Sequence, residues 1–153
     1  MFGVLIPWFF KCLHFDYNRN MLKVYCDGGA RGNPGPAAYG FVVKEEGATI
    51  KEGNGYIGVA TNNVAEYTAI VEALKWLGPN KKGAQLHFFL DSQLAASQLN
   101  GIFKVKNAKI RELLVKIREL ENEFGKIIYQ HVPRDQNKEA DKQVNIALDQ
   151  RSI

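Results

Sequence analysis

The chain has 153 residues, and 46% of them are apolar, which is enough to bury the core of one domain. Lysine and arginine outnumber aspartate and glutamate by 20 to 16, so the net charge is +4 and favours a polyanionic partner, although many ordinary cytosolic domains are equally basic. The two cysteines, Cys12 and Cys26, form no CxxC pair, so we expect reduced thiols in a cytoplasmic protein and no disulfide or zinc chemistry.

The first twenty residues differ in character from the rest. They are apolar and aromatic, with Val4-Leu5-Ile6 followed by Trp8-Phe9-Phe10, but the run is too short to span a bilayer and lacks a basic start. We therefore expect residues 1-20 to be an extension that packs on the domain, or sequence upstream of a natural start at Met21. A surface anchor is a third alternative. Residues 21-153 are expected to form one domain.

The first half of this domain carries three strand-like segments. They are Lys23 to Asp27, Tyr39 to Lys44 and Thr49 to Ile57. The first is apolar on both faces, which indicates a central strand. Glu45-Glu46-Gly47 joins the second to the third as a hairpin turn, so we expect an antiparallel meander.

The second half alternates helices with strands. We predict a helix from Thr61-Asn62-Asn63 to a stop at Gly78-Pro79, then a strand from Gln85 to Leu90 and a short helix from Ser92 to Leu99. An amphipathic helix follows, capped by Asn107 and running to Phe124. The chain then forms a strand from Lys126 to Val132 and a closing helix from Gln136 to Gln150, with Asp135 as its N-cap. This order predicts an α/β fold. Its mixed five-stranded sheet combines a three-strand antiparallel meander with parallel strands, and helices cover both faces.

The stretch KVYCDGGARGNPGP, Lys23 to Pro36, is the most unusual in the chain. An apolar strand delivers Asp27 into a segment where Gly28 and Gly29 permit a close approach of ligand to backbone. Asn33-Pro34-Gly35 then sets a tight turn. The alternative is a β-turn with a solvated aspartate.

Three further acidic residues stand in related positions. Asp91 follows the strand Gln85 to Leu90, and Glu66 and Asp141 lie in the first turns of two helices. If the strands that end at Asp27 and Asp91 are parallel neighbours, all four carboxylates converge at one edge of the sheet. Like charges at such close range force protonation or require cations. A bound divalent metal is the natural compensation, and oxygen ligands favour Mg²⁺ or Mn²⁺ over zinc. The alternative for Glu66 is a water-facing residue favoured by the helix dipole.

Four blocks of the chain resemble the signature blocks of type 1 ribonuclease H. They are DGGARGNPGP, TNNVAEY (Thr61 to Tyr67), LDSQLAASQLNG (Leu90 to Gly101) and HVPRDQNKEAD (His131 to Asp141). The last is similar to the VPR-x-x-N-x-x-AD block of the compact prokaryotic branch. The blocks occur in the family's order, and the resemblance spans roughly residues 21 to 149.

This resemblance implies an RNase H-like catalytic domain over residues 21-153. The implied reaction is endonucleolytic hydrolysis of the RNA strand of an RNA–DNA hybrid by two metal ions, Mg²⁺ or Mn²⁺, giving 5′-phosphate and 3′-hydroxyl ends. It places Asp27, Glu66, Asp91 and Asp141 on the metal-binding, catalytic carboxylates. We expect a monomer without a membrane partner, and double-stranded RNA remains an open second substrate.

The resemblance also implies contacts to the substrate. Asn33 and Thr61 match contacts to a DNA-strand phosphate or the minor groove, Asn62 and Asn63 match minor-groove contacts, and Ser92, Gln93 and the backbone around Gly28 and Gly29 match contacts to RNA 2′-hydroxyls. Ser92 and Asn62 also have structural readings at helix starts, Ser92 as a helix N-cap.

The chain departs from many bacterial members in two ways. Where those members use a mobile catalytic histidine, this chain has His131 and, on the turn, Arg134, and we favour Arg134 for the same role. The segment between Gly101 and Asn107 lacks a lysine-rich handle, which predicts weaker, salt-sensitive hybrid binding. Two alternatives remain: a non-catalytic hybrid-binding domain on the same fold, and a nuclease domain detached from a reverse transcriptase.

Overall fold

The computed structural model describes residues 21–151, so the predicted extension 1-20, with Cys12, lies outside the described residues. In chain order the elements are β1 (Met21–Ala30), β2 (Gly35–Glu45), β3 (Ala48–Ala60), α1 (Asn62–Asn80), β4 (Gln85–Leu90), α2 (Gln93–Leu99), α3 (Ala108–Glu121), β5 (Ile127–His131), a 3-10 turn (Arg134–Gln136) and α4 (Lys138–Arg151). Across residues 21–151, no helix combines the length and hydropathy needed to cross a membrane.

The strands form one mixed sheet in the order β3-β2-β1-β4-β5. The pairs β1–β2 and β2–β3 are antiparallel, whereas β1–β4 and β4–β5 are parallel. The α/β fold predicted from the sequence, with a three-strand meander plus parallel strands, is therefore confirmed. The predicted central position of β1 follows from its apolar residues, such as Val24, which is fully buried.

Helices cover both faces of the sheet. On one face, Leu22, Val24 and Cys26 of β1 share the main core with apolar residues of α1, α2 and α3. Side chains alternate along a strand, so Asp27 and Gly29 belong to the other face. There α4 packs, and Val144 of α4 joins Ala38 of β2 in a second, smaller apolar cluster.

The parallel pairing of β1 with β4 ends one residue before each aspartate. Its last register pair is Cys26 with Leu90, so Asp27 and Asp91 emerge side by side just beyond it. β1 itself does not end there, as the sequence suggested, because Gly28 to Ala30 stay paired with β2. This difference places Asp27 inside a strand that is held from one side only.

Three predicted helix boundaries differ from the structure. α1 continues through Pro79 to Asn80, and the Lys81 N–H closes it on the Leu77 carbonyl at 2.6 Å. α3 ends at Glu121 and not at Phe124. Asp135 does not cap the closing helix, because the 3-10 turn occupies residues 134–136 and α4 begins at Lys138.

Two glycines allow the helices that carry Glu66 and Asp141 to touch the sheet. A Cβ at Gly28 would lie 2.2 Å from the Ala65 carbonyl carbon and from the Glu66 nitrogen, and a Cβ at Gly40 would lie 2.5 Å from the Ala140 oxygen. These contacts are with backbone atoms, so no change of rotamer relieves them. Glycine at both positions therefore brings each helix-borne carboxylate to the same end of the sheet.

We expect Gly28→Ala to destabilise the protein by about 1–3 kcal/mol, because the added methyl group must push α1 away from β1. The matched control is Gly29→Ala, whose Cβ would meet Val144 at an ordinary 3.5 Å. That variant should change the unfolding free energy by less than about 1 kcal/mol. Urea unfolding of both variants measures the difference, and equal stabilities would contradict the close approach of α1.

Candidate active site

The four predicted carboxylates line one cleft at the end of the parallel strand pair. Asp27 lies in β1, Asp91 directly follows β4, and Asp141 lies in the first turn of α4. Glu66 lies in the second turn of α1 and not in the first turn that the sequence suggested, because the helix begins at Asn62. Oxygen atoms of Asp27, Glu66 and Asp91 all lie within 4.8 Å of one another. Asp141 shares the cleft but stands outside this trio. The structure therefore brings the sequence-predicted acids together.

Each carboxylate accepts a hydrogen bond from a neutral donor. The Gly28 N–H donates to Asp27 Oδ1 at 2.9 Å, and the Ser92 side chain hydrogen-bonds Glu66. Two asparagines serve the others: Asn137 Nδ2 donates to Asp91 Oδ2 at 3.4 Å, and Asn145 Nδ2 donates to Asp141 Oδ2 at 3.3 Å. Neutral donors orient the carboxylates but leave their negative charge uncancelled.

Burial and mutual repulsion make this cluster costly to ionise. Burial, with the nearby charges of Asp91, Asp141 and Glu66 adding to it, raises the pKa of Asp27 to about 8 despite the Gly28 hydrogen bond. Burial also raises the pKa of Glu66 to about 7, against the Ser92 hydrogen bond and the charge of Arg134, which lower it. The metal-free cleft therefore favours protons on two of its acids near neutral pH.

The oxygen trio fits a divalent cation. A cation bound there would take the place of the protons that the raised pKa values favour, and carboxylate oxygens are the ligands that hard divalent ions prefer. Asp27 is only 8% exposed, so water cannot screen its charge as it does for surface acids. Asp27, Glu66 and Asp91 could therefore hold a divalent cation, and Asp141 lines the same cleft.

The two candidates for a mobile catalytic group have different surroundings. Arg134, on the 3-10 turn, lines the cleft, and its charge lowers the pKa of Glu66. His131 is the last residue of β5, paired in register with Leu90, and it is not among the residues that line the cleft. The structure therefore places Arg134, and not His131, beside the carboxylates.

Several residues with predicted substrate contacts also hold the local structure. Thr61 Oγ1 accepts from the Val64 N–H at 3.3 Å, and Ser92 Oγ accepts from the Ala95 N–H at 3.1 Å, so both cap helices. Asn62 ties the glycine-rich turn to α1, because its Oδ1 accepts from the Ala30 N–H at 2.8 Å and its N–H donates to Asn33 Oδ1 at 3.1 Å. The structural readings of Ser92 and Asn62 are thus present in the fold.

The remaining predicted contact residues divide between the cleft and its surroundings. Gly28, Gly29 and Asn62 line the cleft, whereas Asn33, Thr61, Asn63, Ser92 and Gln93 do not. Gln93 is exposed at the start of α2. Asn63 keeps a buried Oδ1 to which no described residue donates.

Sequence reasoning assigned no role to three residues of the site. Arg31 lines the cleft and pairs with Asp149 of α4. Asn145 lies four residues after Asp141 on the same helix, a spacing that predicts contact between them. Asn137 stands inside the HVPRDQNKEAD block, but nothing in the local sequence shows that its side chain reaches Asp91, 46 residues away.

In metal-free protein, we expect the unfolding free energy to fall as pH rises from about 4.5 to about 8. The folded pKa values of Asp27 and Glu66 lie above their ordinary values of 3.8 and 4.5, so in this window the folded state binds more protons than the unfolded chain. Each group contributes a slope of up to about 1.4 kcal/mol per pH unit. Urea unfolding at several pH values, in the presence of a chelator, measures the slope of the unfolding free energy against pH.

The Asp27→Asn variant isolates this effect. It removes one titrating group, so the metal-free variant should be more stable than wild type at pH 8 and show a smaller slope. Burial lowers the pKa of His87, which acts in the opposite direction below about pH 6.5, and the comparison cancels that contribution. Asp135→Asn, which changes an exposed acid outside the cleft, is the control. If the unfolding free energy of Asp27→Asn changed with pH as steeply as that of wild type, the pKa of Asp27 would not be raised in the folded protein.

Comparison with known proteins gives consistent results. A family model described as Reverse transcriptase-like matches residues 25–147. The chain is 42% identical over 129 residues to ribonuclease HI of Halobacterium salinarum, covering 84% of this chain and 64% of that protein. It is 40% identical over 129 residues to the bifunctional protein Rv2228c of Mycobacterium tuberculosis, covering 82% of this chain and 35% of that protein.

A solved structure also matches this chain, and the match covers nearly the whole of the solved protein. The crystal structure of LC11-RNase H1 in complex with RNA/DNA hybrid superposes with a TM-score of 0.83 at 38% identity, covering 86% of this chain and 99% of that chain. This chain spans about a third of the mycobacterial relative and under two-thirds of the haloarchaeal one. The matches in sequence, in fold and in the acidic cleft show that this chain belongs to the type 1 ribonuclease H family.

Proposed function

We propose that this chain is an endoribonuclease that hydrolyses the RNA strand of RNA–DNA hybrids and leaves 5′-phosphate and 3′-hydroxyl ends. The observation that carries the proposal is the gathering of Asp27, Glu66 and Asp91 within 4.8 Å in the cleft that Asp141 also lines. Membership of the type 1 ribonuclease H family supports the same reaction, and the relative LC11-RNase H1 was crystallised with an RNA/DNA hybrid.

Asp27, Glu66, Asp91 and Asp141 would hold two Mg²⁺ or Mn²⁺ ions. When bound, such ions supply Lewis-acid activation of the attacking water and stabilisation of the leaving 3′ oxygen. The protein contributes an arrangement of carboxylates whose orientation is fixed by Gly28, Ser92, Asn137 and Asn145 before any ligand arrives. Such pre-organisation avoids reorganising the site during the reaction.

Arg134 is proposed to be the mobile group that assists turnover. Its guanidinium lies close enough to Glu66 to lower the pKa of that acid, and it lines the cleft where a phosphate would enter. An arginine stays protonated at any working pH and binds phosphate oxygens through a planar fork of N–H donors. We propose that it contacts the scissile or departing phosphate. His131 is the alternative that the assay below separates.

The hybrid is proposed to lie along the start of α1 and the start of α2. Gly28, Gly29 and Asn62 line the cleft and present backbone and amide groups. The Ser92 hydroxyl, which bonds both Glu66 and the Ala95 N–H, would accept from an RNA 2′-hydroxyl through its remaining lone pair, next to Gln93. Asn33, Thr61 and Asn63 would contact the DNA strand or the minor groove.

Hydrolysis of a labelled RNA–DNA hybrid in Mg²⁺ or Mn²⁺ tests the proposal. We expect wild type to cleave the RNA strand and Asp91→Asn to lose more than ~100-fold in rate, because losing a ligand costs more than the 10–100-fold typical of its neighbours. The control Asp135→Asn should retain wild-type activity, since Asp135 lies outside the cleft. Hybrid binding by wild type without cleavage would instead indicate a binding module. Double-stranded RNA in the same assay tests the second substrate.

The roles of Arg134 and His131 are separated by alanine substitutions. We expect Arg134→Ala to lower kcat by ~10–100-fold, a loss typical of groups next to a metal site. His131→Ala should change kcat less than about threefold, because His131 does not line the cleft. The loss in Arg134→Ala should also persist at pH values above 8, where a histidine has no charge to lose. The reverse ranking of the two variants would assign the role to His131.

A further inference from the structure

Asn137 lies where the segments that carry three of the four carboxylates meet. It is 1% exposed, in the turn before α4. Its Nδ2 donates to the Cys26 carbonyl at 2.8 Å and to Asp91 Oδ2 at 3.4 Å. The backbone carbonyl of Asn137 accepts from the Asp141 N–H at 3.1 Å. One residue therefore contacts Asp91, the residue before Asp27, and the backbone of Asp141.

The position of these bonds matters because strand pairing stops there. Cys26 and Leu90 form the last register pair of β1 with β4, and no backbone ladder holds Asp27 beside Asp91. On the other side of β4, the Val132 N–H continues the pairing by donating to the Leu90 carbonyl at 2.8 Å. At Cys26 the donor is the side chain of Asn137, which thus takes the place of a strand partner.

The chemistry of the position requires an amide. The NH₂ group supplies two N–H donors for two acceptors and brings no charge into the cleft. An aspartate would donate nothing and add a fifth negative group, while a lysine would neutralise the charge that binds cations. The Asn137 Oδ1 is buried and accepts from none of the described residues, so the site tolerates an unsatisfied oxygen in order to keep the two N–H donors.

We propose that Asn137 is a positioning residue that fixes the separation of Asp27 and Asp91 by bridging the Cys26 carbonyl and the Asp91 carboxylate. The proposal rests on the ribonuclease function proposed above, since that function needs both acids on one pair of metal ions. Asn137 acts through Asp91 and touches no substrate. Loss of the Asn137 side chain should leave the four acids in the cleft but increase the distance between Asp27 and Asp91, which weakens the affinity for divalent ions.

Mn²⁺ binding to the free protein, measured by isothermal titration calorimetry, tests this role without turnover. We expect Asn137→Ala to weaken Mn²⁺ binding by ~10–100-fold and to lower kcat on the hybrid to a similar degree, with KM changed less than about threefold. The matched control is Asn100→Ala, because Asn100 Nδ2 also ties a turn to a strand carbonyl, that of Tyr129, at 3.0 Å but outside the cleft. The control should bind Mn²⁺ as wild type does.

Two outcomes would overturn the proposal. The first is wild-type Mn²⁺ affinity and kcat in a folded Asn137→Ala protein, even if that protein is less stable. If Asn137→Ala does not fold, Asn137→Ser decides, because its shorter hydroxyl can serve only one of the two acceptors. Failure of both variants to fold would show that the residue is required for folding rather than for positioning.

A double-mutant cycle separates this inference from the proposed function. In metal-free protein, the shifts in urea midpoint caused by Asn137→Ala and Asp91→Ala should be non-additive if the two side chains are bonded, because alanine at position 91 leaves no oxygen to accept from Asn137 Nδ2. Additive shifts would contradict the proposed bridge between Asn137 and Asp91, even if the wild type is an active nuclease. Conversely, a wild type that neither binds Mn²⁺ nor cleaves hybrid would overturn the proposed function, while the cycle would still report on the bridge.

Discussion

Mutual repulsion among closely spaced carboxylates is the constraint on which the acidic cleft of this protein depends. Asp27, Glu66 and Asp91 offer oxygens within 4.8 Å of one another, in a cleft where burial raises the pKa of two of them. The hydrogen-bond donors around these acids are neutral, and the positive charge of Arg134 offsets only part of the repulsion, because the pKa of Glu66 stays raised to about 7. The fold must therefore supply enough stability elsewhere to hold the acids together, and divalent cations are the natural partners for the charge.

The stability that opposes this repulsion comes from packing on both faces of the sheet. On one face α1 packs so closely that a Cβ at Gly28 would lie 2.2 Å from backbone atoms of α1, and on the other a Cβ at Gly40 would lie 2.5 Å from backbone of α4. These contacts fix Glu66 and Asp141 by the position of whole helices rather than by flexible side chains. A site built on rigid elements keeps its geometry even when its charges repel.

Local hydrogen bonds complete what helix packing begins. Ser92 caps α2 and bonds Glu66, so the start of one helix orients an acid on another. Asn62 and Asn33 join the glycine-rich turn to the start of α1. Several residues that are predicted to contact the substrate therefore also hold the cleft in shape. This overlap is physically reasonable, because a pre-formed surface loses less entropy when the substrate binds.

The sequence by itself determined the sheet, the helices and the four acids. Strand runs that end near Asp27 and Asp91, and helix starts before Glu66 and Asp141, are local patterns of periodicity and capping, and the four blocks showed the family. Only the tertiary structure decided that Arg134 and not His131 lines the cleft, that β1 continues beyond Asp27, and that Asn137 contacts Cys26, 111 residues away. Such contacts depend on how distant segments pack, and local sequence patterns carry no signal for the direction in which a buried side chain points.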